Sequence, residues 1–320
     1  MPGKMGKIAF IFPGQGAQYV GMAKELAEAY PESKLALEEA GDGAGLDLVG
    51  LCCGGPEDHL NLTENTQPAV LAASAAALAP LAAAGLVPSY TAGLSLGEYT
   101  ALVASRALSL FDAAKVVRKR GRLMQEAVPA GEGGMAAVMG LSAEDCRTAC
   151  NGLECQPANF NCPGQVVISG RAAAVKAAAE RCSQLGAKKV IPLRVSAPFH
   201  SELMRPVAPL LDAEFDGIRI RDADPPVIAN CTARPVTKAA EIRRRLLEQV
   251  YASVYWEDSV RWMAADGVDT FVEIGPSKVL SGFVKRIAPQ ATILSVEDCT
   301  TLDATMAALE GRWTLAVGGR

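Results

Sequence analysis

The sequence predicts an α/β protein, a parallel-sheet body that carries a small inserted subdomain. Three observations lead there. Short apolar runs alternate with longer segments of helical spacing along most of the 320 residues. Between residues 128 and 196 that rhythm changes to strand–helix–strand–strand–helix–strand. A Gly-x-Ser-x-Gly turn stands where a strand gives way to a helix.

The body comes first along the chain. Lys7 to Phe12 (KIAFIF) reads as a strand apolar on both faces, as a central parallel strand must be, and Pro13-Gly14 stops it. Residues 20–40 follow with helical spacing. An alanine-rich helix near 67–85 leads into a second strand, Ser89 to Gly93. Ala69 to Val87 carries no charge and approaches the length of a membrane span. Alanine dominates it and Pro80 interrupts it, so a helix packed between layers is the expectation. Leu96 to Ala104 forms the helix after Ser95, and Ser109 with Asp112 caps the helix that carries Arg120. Two further buried strands are Val268 to Ile274, stopped by Gly275-Pro276, and Thr292 to Val296.

The insert has its own order. Gly134 to Met139 is a strand, and Ser142 caps a helix with Asp145 on the following turn. Gln156 to Gly170 holds two strands around Pro163-Gly164, Arg171 to Leu185 a helix, and Lys188 to Val195 a closing strand. This is the ferredoxin-like split βαβ unit. The division expected is a body of residues 1–127 and 197–320 with a subdomain of residues 128–196.

Composition narrows the function. Half of the residues are hydrophobic, which excludes disorder. Lys and Arg number 31 against 35 Asp and Glu, a net charge of −4 that argues against nucleic-acid binding through phosphates. The nine cysteines include no C-x-x-C pair and have no histidine near the group from Cys146 to Cys182, so buried reduced thiols are expected and no metal site. Gly14-Gln15-Gly16 is followed by Tyr19 where a dinucleotide fingerprint needs glycine, and no phosphate-binding loop occurs. No cofactor is implied. Met1 to Lys7 has no long apolar stretch, so neither a secretory signal nor a transit peptide is expected.

The chemistry centres on Gly93-Leu94-Ser95-Leu96-Gly97. A nucleophile elbow needs glycines on both sides of the serine, because a Cβ there would strike the neighbouring strand and helix. The turn leaves the Ser95 hydroxyl at a helix N-terminus, where backbone N–H groups favour a developing anion. The alternative is an ordinary strand-to-helix turn. A serine also needs a base, and only His59 and His200 exist. His59 lies in a polar stretch, whereas His200 lies where the insert returns to the body, which makes His200 the better candidate.

Further motifs accompany these: Pro13-Gly14-Gln15-Gly16-Ala17-Gln18, Thr66-Gln67-Pro68-Ala69, Gly93 to Tyr99, Arg120-Gly121-Arg122-Leu123-Met124, Gly164 to Gly170, Ala197-Pro198-Phe199-His200-Ser201 and Glu273-Ile274-Gly275-Pro276. Together they resemble the malonyl-CoA:acyl carrier protein transacylase family across nearly the whole chain. The resemblance implies an α/β-hydrolase-like body with a ferredoxin-like insert. It implies that Ser95 takes the malonyl group from malonyl-CoA and passes it to the phosphopantetheine thiol of acyl carrier protein, supplying fatty acid synthesis. His200 would be base and then acid, oriented by the backbone carbonyl of Gln249. Backbone N–H groups of Gln15 and Leu96 would form the oxyanion hole, and Arg120 would hold the malonyl carboxylate. A planar guanidinium suits that task because it pairs both carboxylate oxygens at once. Gln67 and Phe199, with Asn159, Asn161 and Gln165 near the pantetheine arm, would line the cleft.

The expected partners are malonyl-CoA and acyl carrier protein, with no nucleic acid and no membrane. A monomer in a bacterial cytoplasm or a plastid stroma fits. Lys188-Lys189, Arg243-Arg244-Arg245 and Lys285-Arg286 are candidate docking patches for an acidic carrier. Leu94 stands where bacterial members usually carry histidine, Ser253 replaces a common proline, and Tyr255 a common glutamine or arginine. Phe199 before His200 matches malonyl-selective members. The rivals are an acyltransferase serving a polyketide synthase, a hydrolase clearing acyl groups from carriers, and a non-catalytic docking module.

Overall fold

The computed structural model describes residues 6–129, 131–193, 195 and 197–310. Met1 to Met5, on which the expectation about leader sequences rests, and Arg194 and Ser196 near the end of the insert lie outside those residues. In chain order the strands are β1 (Lys7–Phe12), β2 (Tyr90–Gly93), β3 (Gly133–Met139), β4 (Cys155–Cys162), β5 (Gln165–Arg171) and β6 (Lys189–Pro192). They continue with β7 (Val227–Ala229), β8 (Arg234–Val236), β9 (Val268–Ile274) and β10 (Thr292–Val296).

The larger sheet has the order β10-β9-β1-β2-β7-β8, parallel except where β8 turns back on β7. Its central strand explains the doubly apolar KIAFIF pattern. Ile8, Phe10 and Phe12 pack into the core on one face of the sheet, and Ala9 and Ile11 pack with Trp256, Val260 and Leu280 on the other. From β1 the chain runs outward through β2, β7 and β8 on one side, then crosses back to β9 and β10 on the other side of β1. A crevice therefore opens at the carboxyl ends of these strands, where α/β folds bind ligands.

Helix Thr63–Ala83 begins earlier than the sequence pattern indicates and runs past both Pro68 and Pro80. It packs against helices Pro31–Ala44 and Leu110–Glu126. It is long and apolar enough to cross a membrane, and 78% of its most apolar window is buried inside this fold. The helical pattern at 20–40 resolves into two helices, Lys24–Ala29 and Pro31–Ala44. Pro31 forces the break: it disfavours helical geometry in the residue before it, and Tyr30 is extended at φ −122°. Strands β7 and β8 were not foreseen. At three residues each they are too short to show a period.

The small sheet is antiparallel, β4-β5-β3-β6, with helices Ala143–Cys150 and Ala172–Gln184 on one face. Ser142 caps the first of these helices through the Asp145 N–H at 3.1 Å. Cys146, Cys150 and Cys182 fill the space between helices and sheet with Val138 and Ile168. All nine cysteines are free, and among the described residues no three His, Cys, Asp or Glu side chains gather into a possible metal set. The opposite face places Met135, Ala158 and Val167 against Phe199. The closing strand is shorter than the sequence pattern, Lys189–Pro192 rather than Lys188 to Val195.

Body and insert are joined by strand-like pairing. Phe160 N–H donates to Val254 O at 2.9 Å, and Val254 N–H donates to Ala158 O at 2.7 Å. The two unusual residues beside Val254 contribute to this seam. Ser253 Oγ donates to Pro157 O at 2.7 Å, and the Tyr255 ring stacks on Phe160 at 5.2 Å.

Candidate active site

Strand β2 ends at Gly93, and helix Gly97–Ala104 begins on the far side of Ser95. Both glycines are set by close approach. A Cβ on Gly93 would lie 2.0 Å from the Gly97 carbonyl, and one on Gly97 would lie 2.2 Å from the Phe12 oxygen. The turn puts Ser95 at φ 53°, a left-handed conformation that costs a non-glycine residue on the order of 1–3 kcal/mol. Asn230 spans the turn and holds it. Its Oδ1 accepts from Ser95 N–H at 2.6 Å, and its Nδ2 donates to Gly93 O at 2.7 Å.

His200 faces the nucleophile, with Nε2 2.6 Å from Ser95 Oγ. Its Nδ1 lies 2.8 Å from the backbone oxygen of Gln249. A carbonyl only accepts, so Nδ1 carries the proton and the Nε2 lone pair is left for the serine hydroxyl. Gln249 is the last residue of helix Ala239–Gln249, and a carbonyl at a helix C-terminus has no partner within its own helix. Burial, and then the charge of Arg120, push the His200 imidazole down to about 4. It is neutral at neutral pH, as a base must be.

Arg120 projects from helix Leu110–Glu126, whose N-terminus Ser109 caps through Asp112 N–H at 3.0 Å. The side chain is only 1% exposed. Its Nη1 donates to Gln67 Oε1 at 2.9 Å, and its Nη2 to Gln249 Oε1 at 3.0 Å and to Ser95 Oγ at 3.2 Å. The guanidinium also lies over the Tyr99 ring at 5.6 Å. Among the described residues no carboxylate is within ion-pair distance of it. Amide oxygens hold this buried cation in place and leave its charge without a contacting anion.

These groups open into a cavity of about 480 Å³ between the sheet's carboxyl edge and the insert. Gln15, just after β1, and Leu96, at the head of the helix after Ser95, line it beside the nucleophile. Gln67, Phe199, Asn159 and Asn161 line it too, with Leu94, Met135 and Val167. Asn161 Oδ1 is buried with no hydrogen-bond partner. The fold thus brings together every proposed site residue except Gln165. That residue lies outside the lining, at the start of β5, where its Oε1 accepts from Arg286 Nη1 at 3.1 Å. The Pro163-Gly164 hairpin directs it toward helix Val279–Ile287 instead of the cavity.

One of the three candidate docking patches, Arg243-Arg244-Arg245, looks different in the fold. Arg243 pairs with Asp212 and Asp216, Arg244 with Glu241, and Arg245 with Glu241 and Glu248. That run is neutralised locally by its own surroundings, which weakens it as a carrier-binding patch.

Three residues at the site were not singled out from the sequence. Asn230 follows a strand too short to be recognised. Glu98, buried beneath the elbow, belongs to the motif that carries Ser95 and gave no sign of its contacts. Gln156 in β4 ties the site's backbone together: its Nε2 donates to His200 O at 3.1 Å and to Tyr251 O at 3.2 Å, while its Oε1 accepts from Glu202 N–H at 3.2 Å.

Comparison with known proteins agrees with this geometry. The acyl transferase domain family matches residues 9–313. Malonyl CoA-acyl carrier protein transacylase of Bacillus subtilis is 48% identical over 311 residues, covering 96% of this chain and 98% of that protein. An acyl carrier protein S-malonyltransferase from Vibrio cholerae superposes with a TM-score of 0.91 at 43% identity, covering 93% of this chain and 99% of the other. A malonyl-transacylase solved in complex with a type II polyketide-synthase acyl carrier protein gives a TM-score of 0.91 at 41% identity, with 94% and 99% coverage.

Proposed function

The chain belongs to the acyl transferase domain family as a malonyl-CoA:acyl carrier protein malonyltransferase, and from that premise we propose how its residues divide the reaction. Malonyl-CoA enters the cavity with its thioester carbonyl beside Ser95. The Ser95 oxygen attacks that carbon as His200 Nε2 takes the hydroxyl proton. The tetrahedral oxyanion is held by the backbone N–H groups of Gln15 and Leu96; one such donor is worth about 2.7–4 kcal/mol in related chemistry. The intermediate collapses, the carbon–sulfur bond breaks, and the CoA sulfur leaves with the proton from His200. Malonyl-Ser95 remains.

In the second half, the phosphopantetheine thiol of the carrier occupies the place CoA left. His200 takes the thiol proton, the sulfur attacks the ester carbon, and Ser95 regains the proton as it departs. The Gln249 carbonyl keeps the imidazole in the same tautomer through both halves. The polar wall formed by Asn159 and Asn161 suits the amides of a pantetheine arm, and the unpartnered Asn161 Oδ1 offers an acceptor.

The observation that carries the choice of acyl group is Arg120. Its Nη2 is 3.2 Å from the nucleophilic oxygen, so a carboxylate one methylene beyond the ester carbonyl falls within its reach. A hydrolase for uncharged acyl groups has no use for a buried cation in that position. The test is transfer from malonyl-CoA to purified holo acyl carrier protein, with acetyl-CoA and methylmalonyl-CoA as competitors. Malonyl transfer should dominate; equal transfer of acetyl and malonyl would overturn the role given to Arg120.

A further inference from the structure

Glu98 lies beneath the elbow with 2% exposure, and the acyl transfer described above makes no use of it. Its Oε2 accepts from Asn230 N–H at 3.0 Å and from Gln249 Nε2 at 2.9 Å. That same Nε2 donates to Ser95 O at 2.9 Å, while Gln249 Oε1 accepts from Arg120 at 3.0 Å. A primary amide has one donating and one accepting end. Between a guanidinium that only donates and a carboxylate and a carbonyl that only accept, one orientation satisfies every partner. Turned round, the amide would set its oxygen against two acceptors and its NH₂ against the guanidinium.

The spacing also matters for charge. Glu98 stands one amide away from Arg120, near enough to offset part of the cation's burial. A direct ion pair would occupy the guanidinium and shut out a substrate carboxylate. Burial pushes the Glu98 carboxyl up to about 7, against the pull of the Gln249 amide, the Asn230 N–H and the Arg120 charge.

We propose that Glu98 is a specificity-positioning residue: by fixing the Gln249 amide it keeps Arg120 aimed at the acyl group on Ser95 and so sets the preference for a carboxylated acyl unit. The proposal rests on Arg120 as the carboxylate-binding group. A wild-type protein with no malonyl preference would overturn that assignment, whereas the variants below address Glu98.

The experiment measures kcat/KM for Ser95 acylation by malonyl-CoA and by acetyl-CoA in Glu98→Gln and Glu98→Ala. In Glu98→Gln the new amide oxygen can take the place of Oε2 and accept both bonds. That variant should keep the malonyl-to-acetyl preference within about threefold of wild type. Glu98→Ala should lose the preference by about tenfold or more, chiefly through a higher KM for malonyl-CoA. A purely structural role would lower both substrates together in Glu98→Ala, and that result overturns the proposal. Equal loss of preference in Glu98→Gln also overturns it, because orientation would then not be the cause. Should Glu98→Ala fail to fold, Glu98→Asp withdraws the acceptor by one methylene; the proposal requires the preference to fall there and is overturned if it does not.

Discussion

The backbone oxygen of Gln249 lies 2.8 Å from His200 Nδ1, the position a carboxylate fills in a Ser-His-Asp triad. A helix end supplies this acceptor, so the tautomer is fixed without a carboxylate against the imidazole. A neutral carbonyl stabilises an imidazolium less than a carboxylate does. Burial and Arg120 therefore set the imidazole's basicity with little opposition.

His200, pushed down to about 4, should keep its base form through mildly acidic solution. The expected kcat/KM for malonyl-CoA is flat above that value and falls only as the pH drops through it. Rapid pH-jump acylation assays would check this; an acid limb at the ordinary histidine value of 6.5 would contradict it. The sign for folding is the same. Between 6.5 and 4 the unfolded histidine binds a proton that the folded one refuses, so His200 contributes a loss of stability as the pH falls.

Arg120→Ala should cut malonyl transfer far more than acetyl transfer. A lost charged hydrogen-bonding partner is worth about 1.5–3 kcal/mol, roughly ten- to a hundredfold in kcat/KM. Competition between the two CoA esters gives the ratio directly, and an equal fall for both would refute the carboxylate role.

Asn230→Ala removes the acceptor of Ser95 N–H and the donor to Gly93 O at once. With two backbone groups left unpaired at a strained turn, a stability loss of about 1–3 kcal/mol is expected, together with slower acylation. Thermal denaturation and single-turnover acylation should both respond. Unchanged acylation would mean that the elbow keeps its shape without the bridge.

Gln165→Ala should leave the KM for malonyl-CoA within about twofold of wild type, since its side chain faces Arg286 and not the cavity. Steady-state kinetics with malonyl-CoA decides the matter, and a large rise in KM would return Gln165 to the substrate path.

Much of the architecture is carried by contiguous segments and is legible for that reason. The strand KIAFIF, the order of elements in the insert and the Gly-x-Ser-x-Gly turn each depend on neighbours within a few residues, so their patterns survive in one dimension. The break at Pro31 was written there too, in a proline whose effect on Tyr30 is local. Strands β7 and β8 left no such trace, because three residues bound by a neighbouring strand need no pattern of their own.

The same division runs through the site. Ser95 and His200 are legible from their residue types and places in the chain, whereas the roles of Arg120 and Gln249 come from the resemblance. That the Gln249 side chain also links Arg120, Glu98 and Ser95 O, and that Asn230 supports the elbow from 135 residues away, follows from contacts that only the folded chain creates. Gln165 shows the converse, a motif residue that a hairpin carries away from the cavity. By itself the sequence determined the local backbone shapes and the reactive groups, because these are short-range properties. Tertiary structure alone decided which amide faces which charge, because that depends on packing between segments far apart in the chain.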